Sequence, residues 1–123
     1  MPKAINTTQN LVLDLIRRSS FNFFDGKKVV SRLIKHSDLW EAVVMTDLQN
    51  LICLRDMEHD IFHGNNLYIL PAEGRHDELL NVLKNLKADE ARWIGGMEAC
   101  NLLGSWSPEQ EANTRQILSL WWD

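Results

Sequence analysis

Apolar residues recur along this chain in two rhythms, and the rhythm changes near residue 40. Leu11, Val12, Leu15 and Ile16 fall on one face of a helix, and Val29, Val30, Leu33 and Ile34 repeat the pattern. Ahead of the first set, Asn6 followed by Gln9 resembles a capping box, in which the two side chains satisfy orphan backbone donors reciprocally. Arg17 and Arg18 fall in the last turn, where cations suit a helix end. The spacing predicts a helix over 7–19 and a second over 26–36, the latter capped by Asp25. Between them, Ser19 to Phe24 keeps three phenylalanines and reads as a linker with buried side chains. Two short amphipathic helices in a row predict a helical hairpin, whose apolar stripe must pack on another layer because neither helix is stable alone in water.

After residue 40 strand signals appear, first in succession and then alternating with helices. Val43-Val44-Met45-Thr46 is rich in β-branched residues and predicts a strand over 41–46. A turn at Asp47 to Asn50 and a second strand over 51–56 would complete a β-hairpin. Leu67-Tyr68-Ile69-Leu70 is unbroken apolar sequence ended by Pro71, as in a central strand covered on both faces. Leu79, Leu80, Val82, Leu83 and Leu86 then predict a helix over 75–87. Ala91-Arg92-Trp93-Ile94 predicts a strand stopped by Gly95-Gly96, followed by a short helix holding Met97, Cys100 and Leu103. Ser107-Pro108-Glu109-Gln110 is a helix start, with a Ser cap and Pro at the first position. Ile117 to Trp122 reads as a final strand.

The predicted fold is α+β, leaning to α/β: an N-terminal helical hairpin, then a β-hairpin, then a β-α-β-α-β segment, on a mixed sheet of four to five strands. The β-α-β order favours parallel pairing. No repeat, low-complexity stretch or long linker interrupts the pattern, so residues 1–123 read as one globular domain. A chain of that length can bury a core without metal or disulfides.

The formal net charge of −4 speaks against a nucleic-acid binder, which usually shows a basic face. The one basic cluster, Arg17, Arg18, Lys27, Lys28, Arg32 and Lys35, fits solvated helix faces better than a phosphate-binding patch. Met-Pro-Lys-Ala-Ile-Asn lacks the layout of a signal peptide, and no apolar run approaches the ~18–20 residues of a membrane span. The expectation is therefore a cytoplasmic protein without a membrane partner. Cys53 and Cys100 sit among apolar neighbours, as buried reduced thiols do.

Three clusters could carry chemistry. The segment Asp56 to His63 sets His59 and His63 four apart, a spacing that helical zinc sites use. Its neighbours Gly64-Asn65-Asn66 read as a loop, and no third ligand stands at a telling distance, so neither a metal nor any other cofactor is expected. The second cluster is a pair of strand-to-helix turns. Arg75 and His76 follow one, and Gly95, Gly96 and Glu98 belong to the other. On parallel strands both turns would share the carboxyl edge of the sheet, where open α/β sheets bind ligands. Two glycines are no dinucleotide fingerprint, however, and Glu98 in the first helical turn would repel a phosphate. The third cluster is aromatic. Trp121 and Trp122 are adjacent in a presumed strand and must point to opposite faces; with Trp106 they could form an interface. No Gly-x-Ser-x-Gly elbow is present, and Cys100 has no neighbouring histidine. The reading leans away from an enzyme. It favours an interaction protein that binds another protein, or a second copy of itself, through an aromatic and acidic surface. The alternative is a small-molecule- or anion-binding protein or enzyme that uses the turns near Gly74 and Gly95-Gly96. A concave pocket with convergent polar groups at those turns would favour the alternative.

Overall fold

The structure, a computed structural model, describes residues 3–21, 23–46, 57–62, 64–104 and 115–122, with the backbone alone for Phe21. Helix α1 (Thr7–Arg17) leads through two-residue strands β1 (Ser20–Phe21) and β2 (Phe24–Asp25) into α2 (Gly26–Lys35). Strands β3 (Trp40–Thr46) and β4 (Asn66–Pro71) follow, then α3 (His76–Leu83), β5 (Glu90–Ile94), α4 (Gly96–Leu103) and β6 (Ile117–Trp121). The class is α+β, as the periodicities predicted. The expected turn at 47–50, the strand over 51–56 and the helix from Ser107 lie outside the described residues.

The main sheet has the order β3-β4-β6-β5. Each described pair in it is antiparallel, which corrects the expectation of parallel pairing in a mixed sheet. The last strand, β6, enters between β4 and β5 and runs against both. Its residues Ile117, Leu118, Ser119 and Leu120 are all buried, so a central place suits it better than an edge. Because β4 and β5 are each antiparallel to β6, they still point the same way.

One face of the sheet carries Val43, Met45, Leu67, Ile69, Leu118 and Leu120. These pack with Leu13 and Ile16 of α1, with Val29, Val30 and Leu33 of α2, and with Leu79 and Leu83 of α3. On the opposite face, Ile94 and Ile117 pack with Ala99 of α4, flanked by Tyr68, Leu70 and Leu103.

Side-chain donors and acceptors fix the helix ends. Asp25 accepts from the backbone N–H groups of Lys27 and Lys28 at 3.1 and 3.3 Å, as predicted. Only half of the expected capping box forms at α1. The Gln9 N–H donates to Asn6 Oδ1 at 2.8 Å, but the Gln9 side chain is spent elsewhere, on β3. At the carboxyl ends, Trp40 Nε1 donates to the Leu33 carbonyl at 2.8 Å and Arg32 to the Val82 carbonyl at 2.7 Å. Trp122 Nε1 donates to the Leu86 carbonyl at 3.0 Å. Two indoles thus bury their rings while terminating helical segments, which resolves the cost of burying a Trp N–H.

The linker between α1 and α2 folds as a tight turn, with Ser20 opposite Asp25 and Phe21 opposite Phe24. Phe24 is buried and meets Trp122 edge-on at 4.8 Å between ring centres. Phe23 is not buried as expected: it is 70% exposed, with Lys87 Nζ 5.7 Å from its ring centre. At the start of α2, a Cβ on Gly26 would lie 2.0 Å from the Ile16 carbonyl oxygen and 2.5 Å from that of Ser19. The two helices can approach this closely only with glycine there.

Candidate functional site

The antiparallel insertion of β6 has a consequence for the two turns singled out above. Since β4 and β5 run in one direction, their carboxyl ends do reach the same edge of the sheet. The amino-terminal ends of β3 and β6 reach it too. A hollow of about 440 Å³ opens there. Leu70 and Pro71, at the end of β4, give it an apolar floor, and Glu73, Gly74 and His76 come from the turn into α3. Glu41 enters from β3, while Arg115 and Gln116 come from the approach to β6. Gly95 borders the same corner, since a Cβ there would stand 4.0 Å from Gln116 Nε2.

The structure divides the predicted residues. His76 lines the hollow, with its ring centre 5.1 Å from that of Trp93. Arg75 turns away. Its guanidinium forms a two-pronged pair with Glu78 at 2.7 and 2.8 Å and lies 3.6 Å from Asp38. The hydrogen bond to Glu78 raises Arg75 above its ordinary pKa and holds the Glu78 carboxyl below its own. Glu98 is engaged as well, since Arg92 reaches it at 3.1 Å, a hydrogen bond that raises Arg92. Gly96 opens α4 with φ of +60°, a conformation that favours glycine.

Arg75 and Arg92 are therefore occupied by carboxylates. Arg115 is half-buried at the hollow and has no ion-pair partner among the described residues. Glu73 is exposed and has none either, while Glu41 pairs with Lys3 at 3.0 Å. The charges around the hollow balance: Glu41 against Lys3, and Glu73 against Arg115. Sequence reasoning missed Glu41, Glu73, Arg115 and Gln116. Glu73 lay in the turn already singled out. The other three come to this corner only because β3 begins there and β6 is inserted, which no local spacing announces.

The aromatic cluster separates too. Trp122 is 1% exposed and belongs to the core beneath the helices. Trp121 is half-buried on the opposite face, where it lines a hollow of about 240 Å³ with Asn66, Tyr68, Glu90, Arg92 and Ser119. Trp106, His63 and Cys53 lie outside the described residues. His59 is exposed, and among the described residues no three His, Cys, Asp or Glu side chains gather to hold a metal ion. Cys100 is buried. No described helix is long and apolar enough to cross a membrane.

No family model matches the chain, and comparison with curated proteins and with solved structures finds no match.

Proposed function

We propose that this protein binds a small neutral or zwitterionic polar molecule in the hollow between Glu41, Glu73, His76 and Arg115. The observation that carries the reading is the meeting of four strand ends around a concave space whose polar groups are not all spent on one another. At about 440 Å³ the hollow falls within the size range of small-molecule sites. Arg115 and Gln116 offer donors, Glu73 offers an acceptor, and Leu70 and Pro71 offer an apolar surface for the body of a ligand. Balanced charge offers an anion such as inorganic phosphate no net attraction here.

Titration of isotope-labelled protein with a panel tests the reading: glycine, L-glutamine, L-glutamate, D-glucose and inorganic phosphate, followed by amide chemical shifts. Saturable shifts at Gly74, His76 and Gln116 are expected with a neutral or zwitterionic member, and their loss is expected in Arg115→Ala. No saturable shift at these residues with any member would count against the site.

A second reading has its own observation. Trp121, Tyr68, Glu90 and Arg92 form an aromatic and charged patch on the sheet face away from the three N-terminal-side helices. Half-buried aromatics beside charges suit a protein partner. Shifts confined to this patch on adding a native-host extract fraction would favour it over the hollow.

A further inference from the structure

The side chain of Gln9 leaves its own helix end to lie along β3. Its Nε2 donates to the Val43 carbonyl at 2.8 Å, and its Oε1 accepts from the Val43 N–H at 3.0 Å. One amide thereby presents to β3 the donor and acceptor that a neighbouring strand would present. Among the described residues, the strand it covers is the longest in the sheet, at seven residues, and stands at one edge of the β3-β4-β6-β5 order. Long edge strands offer a template for pairing with another chain, and proteins block them with specific devices.

We propose that the outer edge of β3 is a pairing surface for a second copy of this chain, and that Gln9 is the latch that keeps it closed. The choice of occupant follows from the symmetry of the strand. The Val43 N–H and carbonyl both point outward, so two copies related by a two-fold axis at Val43 can exchange the same two hydrogen bonds that Gln9 now makes. That register sets Ala42 of each copy against Val44 of the other on the sheet face opposite the core. Val44 is 47% exposed and Ala42 is also exposed, so pairing would cover apolar surface. Glu41 is the one charged residue of β3 and lies away from the axis, so no like charges face each other. The Lys3–Glu41 pair, at 3.0 Å and exposed on both sides, is a weaker tie that holds the same N-terminal segment near the edge.

Sedimentation of the full chain over a wide concentration range, with hydrogen exchange at the Val43 amide, decides the matter. The native chain is expected to sediment as a monomer with that amide protected. Gln9→Ala is expected to double in mass as concentration rises, with Val43 protection appearing only in the dimer. Adding Ala42→Lys and Val44→Lys opposes like charges across the two-fold axis and should abolish the dimer at no loss of fold, since both positions are exposed. Gln9→Glu keeps the acceptor and loses the donor, and it reads the same way should the alanine variant unfold α1. A folded Gln9 variant that stays monomeric at all concentrations overturns the proposal. So does a dimer indifferent to the two lysines.

Discussion

On one face of the sheet Val43, Met45, Leu67, Ile69, Leu118 and Leu120 meet three helices and are closed off from water. On the other, alternate residues of the same strands include Val44 at 47% exposed, and α4 packs at the end near Ile94 and Ile117. Strand periodicity alone makes this division, because successive side chains leave a strand on opposite sides. Among the described residues, the helix-covered face gathers most of the large buried side chains, and with them most of their transfer free energy. The opposite face keeps Tyr68, Arg92 and Trp121 near water, and the strand ends at its rim shape the hollow beside Arg115. Stability is thus concentrated on one side of the sheet, while the two hollows lie on the other side and at its ends.

Changes at neighbouring residues of one strand should separate the two faces most sharply. Val43→Lys forces an unpaired charge into the core and should cost more than about 4 kcal/mol, enough to prevent folding in a domain of ordinary stability. Val44→Lys, one residue on, should fall within about 0.5 kcal/mol of the native chain by chemical denaturation. Comparable losses at the two positions would mean that the opposite face is as closed as the first.

Gly26→Ala tests how the helical layer is held in place. The added methyl group meets the carbonyl oxygens of Ile16 and Ser19, so α1 and α2 must separate. A loss of about 1–3 kcal/mol is expected in the same denaturation experiment. A neutral result would show that the junction relaxes freely.

A smaller effect should follow from the buried polar pair on the opposite face. Asn66 Nδ2 donates to Ser119 Oγ at 3.3 Å, and Ser119 Oγ to Asn66 Oδ1 at 3.4 Å. Bonds this long contribute modestly, so Ser119→Ala should cost about 1 kcal/mol. A loss of several kcal/mol would make this pair a core element and would erase the contrast between the faces.

Much of the local structure was legible in the residues. The two N-terminal helices, the Asp25 cap, the strand ended by Pro71 and the glycine stop after Ile94 each rest on local chemistry that tertiary contacts did not override. Strand order was not legible. Antiparallel insertion of β6 depends on which apolar strand takes the centre, a competition among distant segments that local periodicity does not encode. The candidate site shared that fate. Its turn residues His76 and Gly74 could be named from sequence, but Glu41, Arg115 and Gln116 arrive through topology. Gln9 shows a further limit, since its capping-box spacing was present while β3 offered the side chain two hydrogen bonds in place of one.

Trp121 and Trp122 provide the most direct test of a fold held mainly from one side. They are adjacent, chemically identical, and set on opposite faces, with Trp122 at 1% exposure and bonded to the Leu86 carbonyl at 3.0 Å. Equilibrium denaturation of Trp122→Ala and Trp121→Ala compares them in one experiment. Trp122→Ala should lose about 3–5 kcal/mol, and Trp121→Ala about 1 kcal/mol. Equal losses at the two positions, or a larger loss at Trp121, would contradict the account.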